Sequence, residues 1–136
     1  MKIKVKVGST VVIDGAEMRE QPNNWRVNGS PVNQVAQYLR AAQARVHQRG
    51  NVQTTITFQC AKEHASLQAA ILYCMTHYRS MILTGTALFV FESDGGATTN
   101  EYLANASCHV SEIYPVGLTT FATYNITGGK PQATSP

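Results

Sequence analysis

The chain is poor in charge. Asp, Glu, Lys and Arg make up 14% of its 136 residues, against roughly a quarter in an average soluble domain. A surface with so little charge suits a protein that associates with something, rather than one that must stay alone in solution. There is no run of ~20 apolar residues, which excludes a membrane-spanning helix. Cysteines number three, Cys60, Cys74 and Cys108. Three cannot form a closed disulfide set and none lies in a C-x-x-C pair, so they read as reduced, buried small hydrophobes. The first residues, Met1 to Val7, carry no apolar h-region and no small-residue cleavage site, so a secretory signal is not expected. The reduced cysteines fit a cytosolic protein. Catalytic fingerprints are missing as well. The acids are scattered, and the glycine pairs Gly95-Gly96 and Gly128-Gly129 do not open helices or match a phosphate-binding pattern.

What is present is patterned. Hydrophobic residues are 43% of the chain, which excludes disorder for most of it. The length fits one domain, expected over residues 1–129, with a polar tail at 130–136 expected to be disordered. The charge is uneven. Residues 1–50 sum to +5 and residues 51–136 to −2, a split suited to contact between copies.

Ile3, Val5 and Val7 alternate with Lys2, Lys4 and Lys6, a strand with one wet face. Thr10 to Ile13 is a second strand, and Asp14-Gly15 a turn. Trp25 anchors a weakly patterned segment. Residues 31–48 are ambiguous. Ser30-Pro31 suits a helix start, and Val32, Ala36, Leu39, Gln43 and Val46 recur at helical spacing. A helix is favoured there, with a long polar loop or a strand as the competitor.

Val52, Thr54, Ile56, Phe58 and Cys60 share one face of a β-branched strand. Ser66 caps a helix through Ser80, with Leu67, Ala70, Ile71, Cys74 and Tyr78 as its apolar face. Three strands follow, over Thr86–Glu92, Glu101–Tyr114 and Leu118–Thr127. The expected class is α+β, mostly β: two packed antiparallel sheets, as a sandwich or rolled barrel, with one helix near 66–80 packed on them.

Two side-chain constellations carry possible chemistry. Cys60 and His64, then Cys74 and His77, form a ligand set that zinc accepts. Structural zinc sites usually take a pair from a tight knuckle, so a buried cysteine and a boundary histidine is the favoured reading. Cys108 and His109 are adjacent on a strand and point to opposite faces, so they cannot pair as nucleophile and base. Arg45 and Arg49, with Arg40 and His47 nearby, read as a solvated basic face. The expectation is therefore no catalytic, cofactor-binding or metal residues, no cofactor, no membrane and no specific nucleic-acid binding.

Over residues 49–129 the chain resembles small phage and prophage structural proteins of the tail-tube-like family. The resemblance rests on Arg49-Gly50-Asn51 before the strand Thr54 to Phe58, on the helix after His64-Ala65-Ser66-Leu67, and on Gly85-Thr86-Ala87-Leu88. Tyr102-Leu103-Ala104-Asn105-Ala106 and the closing Tyr124 to Gly129 complete it. It implies two packed β-sheets flanked by a helix, and homo-oligomeric rings, often hexameric, that stack into a tube. Proteins similar to these act by assembly, with themselves and with other phage structural proteins, and do no chemistry. Tail-tube subunits often carry a long arm between rings; here only residues 15–50 could supply one. A connector, completion or baseplate role fits as well. The alternative is a monomeric or dimeric β-sandwich module for a carbohydrate or small ligand, with the tyrosines and Trp25 as its binding aromatics.

Overall fold

The computed structural model describes residues 2–15, 22–36 and 45–136. The elements run β1 (Lys2–Val7), β2 (Thr10–Asp14), β3 (Asn23–Ala36), β4 (Arg45–Glu63), α1 (Leu67–Ser80), β5 (Leu83–Glu92), β6 (Thr98–Val116) and β7 (Thr119–Gly128). The chain is mostly β with one helix among the described residues, as the period-two patterns imply. The two-sheet arrangement is not confirmed. The described strands share one seven-stranded sheet, in the order β2-β1-β5-β6-β7-β4-β3, with every neighbouring pair antiparallel.

That sheet is rolled. β3 and β5 stand four places apart, so about 19 Å would separate them in a flat sheet at ~4.8 Å per strand. Yet the Trp25 ring on β3 sits 6.0 Å from both Phe89 and Phe91 of β5. The inward residues of all the inner strands meet there. Val5, Phe58, Phe89, Leu103, Tyr124 and Ile126 are fully buried in one cluster, and Trp25 stacks on Phe58 at 4.8 Å. A single curved sheet can thus enclose a core that two sheets would otherwise share. Two glycines make one bend possible. Gly85 has φ +141°, and a Cβ there would meet the Gly8 Cα at 2.9 Å, so the β1–β2 turn and the start of β5 approach with no side chain between them.

The helix favoured at 31–48 is not formed where the chain is described. Pro31–Ala36 belongs to β3, and Arg45 onward to β4, paired through Val35↔Val46 and Ala36↔Arg45; residues 37–44 lie outside the described residues. Val32, Val35 and Val46 are β-branched, a residue type that favours a strand over a helix. Pro31 is tolerated because β3 is an edge strand. β4 pairs with β7 only over Thr54–Glu63. Its first residues, from Arg45, pair with β3 alone, so the two strands continue as a ribbon past the end of β7.

β6 and β7 are joined by a tight turn at Gly117, where φ is +62°. Beyond Gly129, Gln132 exchanges two backbone hydrogen bonds with Tyr102, at 2.8 and 3.0 Å, which ties the chain to β6 at that point. No helix among the described residues is long and apolar enough to cross a membrane.

Candidate interaction surface

The helix starts where its sequence directs. Ser66 is extended, and its hydroxyl accepts a hydrogen bond from the Ala69 N–H at 3.1 Å. Such a cap is worth about 1 kcal/mol. The face α1 turns to the sheet differs from the expected one. Ala70 is buried, and Tyr73, Cys74 and His77 are partly buried, an i, i+3, i+4, i+7 stripe. Leu67, Ile71 and Tyr78, expected to pack inward, are each more than half exposed. Sequence spacing admitted both stripes, since they share Ala70 and Cys74. Ala70 lets the helix come close to β6, and the polar tips of Tyr73 and His77 find partners on the sheet.

Those partners form a seam of rings. His77 Nε2 lies 2.5 Å from the Tyr124 hydroxyl. Tyr73 stacks on His77 at 4.7 Å, and His64 lies 4.7 Å from Tyr73 on the other side. Tyr124 stacks on Phe58 at 5.2 Å, so the seam runs unbroken into the core and on to Trp25. The Lys62 ammonium sits 4.9 Å over the Tyr73 ring. Thr120, itself buried, donates its hydroxyl proton to the Lys62 carbonyl. Its oxygen then accepts from His64 Nε2 at 2.8 Å, because a threonine has one proton to give.

Electrostatics fit a structural seam. Burial, reinforced by Lys62, lowers the His77 pKa to about 4, so the ring is neutral at pH 7. Burial drives the Tyr124 hydroxyl far above its usual range, with Tyr73 adding to the effect. Burial also pushes the Cys60 and Cys108 thiols up to about 12, the opposite of an activated nucleophile. The structure brings His64 and His77 to either side of Tyr73, but among the described residues no group of three or more His, Cys, Asp or Glu is placed to hold a metal ion. Cys108 is buried and His109 exposed, on opposite faces of β6.

The consequence of this inward polarity is an outward apolar face. Leu67, Ile71, Leu72 and Met75 are 53%, 51%, 61% and 70% exposed, and Ile82 just past the helix is 68% exposed. With Gln68, the first four line an open apolar depression of about 480 Å³. Arg79 is the only formal charge in the helix. No protein-family model matches this chain, and no curated protein matches it. Sequence reasoning missed Leu72, Met75 and Ile82 as surface residues and Tyr73, Lys62 and Thr120 as seam residues. The signal available for Leu72 and Met75 was that both lie opposite Ala70 on the helix.

Proposed function

We propose that this chain is a non-enzymatic structural protein of a phage or prophage particle, one that assembles with copies of itself as a tail-tube-like or tail-associated component. The observation that carries the reading is the outward face of α1. Contiguous exposed apolar surface marks an interaction site on a soluble domain, and a helix with one charge offers nothing to repel a second copy. The occupant proposed for that face is therefore another subunit of the same chain.

Two further features support the reading. The β3–β4 ribbon projects past β7, and a two-stranded ribbon is marginally stable in water by itself; it lies in the one segment, 15–50, that could supply an arm between subunits. The rolled sheet, its two limbs facing each other across the core, takes the place of the two packed sheets that the family resemblance implies. Contacts between unlike surfaces of one subunit close into rings when the rotation permits.

The test is native mass spectrometry of the purified chain over a concentration series, beside Leu72→Glu/Met75→Glu. The expected result is a ring-sized multiple of 14.8 kDa for the unaltered chain and a monomer for the double variant. A monomer at every concentration for the unaltered chain would overturn the proposal.

A further inference from the structure

The outer face of the sheet holds a second site, independent of α1. Ladder pairing between β3 and β4 is interrupted between Asn23↔Gln59 and Arg26↔Thr57, where Asn24 takes a positive φ of 53°. Irregularities of this kind re-aim side chains. Trp25 turns inward onto Phe58, while Asn24 and Arg26 remain exposed. The gap that results is a cavity of about 190 Å³ lined by Asn24, Arg26, Thr57, Phe58, Gln59 and Thr123.

Its chemistry is specific. Two amides, two hydroxyls and a guanidinium converge on it, and no carboxylate lines it. The internal bonds are long: Asn24 Nδ2 donates to Gln59 Oε1 at 3.3 Å, and Gln59 Nε2 to the Tyr114 hydroxyl at 3.4 Å. Bonds of that length are weak, so a ligand hydroxyl can replace them at little cost. Tyr114, outside the lining, steadies Gln59 through that bond and itself stacks on Phe121 at 5.7 Å. Below the cavity, Thr57 donates to Asn125 Oδ1 at 2.8 Å and holds the floor in place. The volume is below the ~300 Å³ of sites for drug-sized ligands, which fits a single small ring.

We infer that this cavity binds one saccharide unit carrying a carboxylate. Its hydroxyls exchange hydrogen bonds with Asn24, Gln59 and Thr123, and its carboxylate meets Arg26 in the bidentate geometry a guanidinium favours. Hydrogen-bond donors and acceptors set close together around a small cavity are what a polyhydroxylated ring needs and a flat apolar ligand does not.

Saturation-transfer NMR with methyl glucuronide and methyl glucoside tests this, and it reads weak binding whether or not the chain assembles. The expected result is saturation of the glucuronide ring protons with at least fivefold weaker binding of the glucoside. Gln59→Ala and Tyr114→Ala should each weaken glucuronide binding about tenfold. Arg26→Gln, at an exposed position, should bring the glucuronide down to the level of the glucoside. Thr99→Ala, exposed on β6 and outside both the cavity and the α1 face, should change nothing. No saturation at millimolar sugar, equal binding of the two sugars, or binding that survives Gln59→Ala in a folded variant would each overturn the assignment. A monomeric chain that binds the glucuronide would sink the assembly proposal and leave this one standing.

Discussion

His77 Nε2 and the Tyr124 hydroxyl, 47 residues apart in sequence, meet at 2.5 Å and fasten α1 to the centre of the sheet. Because the imidazole is largely withdrawn from water and lies near Lys62, the fold favours its neutral form. The pKa of His77 is about 4 in the fold, against 6.5 when unperturbed. A histidine with a depressed folded pKa contributes stability above its unfolded pKa and loses it as pH falls. The chain is therefore expected to lose about 1–2 kcal/mol between pH 6.5 and 4, after allowance for partial solvent contact. Thermal melts across that range measure it. In His77→Gln the slope should flatten, apart from the smaller same-direction contribution of His64, whose pKa is also lowered by burial.

Tyr124→Phe removes the hydroxyl that His77 and Tyr73 both reach, and leaves the partly buried His77 ring without that partner. The expected cost is about 1–3 kcal/mol, the penalty for an orphaned polar group. His77→Phe/Tyr124→Phe should cost less than the two single changes added together, since both polar groups then go. Urea unfolding of the four proteins decides this.

The three thiols should separate by reactivity. Cys60 and Cys108 are buried with pKa values pushed up to about 12, whereas Cys74 is only partly buried and its pKa is raised less. Iodoacetamide on the native chain should label Cys74 first, and the other two only on unfolding. Peptide mass mapping after a timed quench shows the order.

Gly85→Ala should destabilise the fold by about 1–3 kcal/mol. The φ of +141° is outside what an alanine adopts readily, and the added methyl would stand 2.9 Å from the Gly8 backbone, where neither strand end can shift cheaply. Gly96→Ala is the control: its φ is also positive, but a methyl there meets nothing within 4 Å, so only the conformational cost remains. A thermal midpoint lower for Gly85→Ala than for Gly96→Ala would separate the two contributions.

Much of the β architecture was legible because it is written locally. Alternation at Lys2–Val7, at Thr54–Cys60 and along Leu118–Thr127 reports one buried face without reference to any partner. The cap at Ser66 likewise acts within a single turn. The orientation of α1 was not legible. Leu67, Ile71 and Tyr78 are the more hydrophobic stripe, and only Tyr124 and Lys62, distant in sequence or on another element, make the Tyr73–His77 stripe the better one to bury. The ribbon was missed for a related reason. Val32, Ala36 and Val46 fit a helical period by spacing, while the pairing Val35↔Val46 becomes visible only when two strands lie side by side. Nor did the sequence show that one sheet would do the work of two, since rolling is a property of the assembled strands and of Trp25 reaching β5.

The place of β1 beside β5 sets the timetable of synthesis. Val7 finds its ladder partner at Ala87, so the first strand waits while the intervening residues are made. At about 5–20 residues per second that wait is roughly 4–16 s, long compared with the microseconds in which a hairpin forms. During it the β1–β2 hairpin offers a bare edge to any strand nearby. Lys2, Lys4 and Lys6, on alternate positions of that edge, discourage such pairing by mutual repulsion. Replacing them with neutral residues would leave the finished sheet intact and endanger the nascent one.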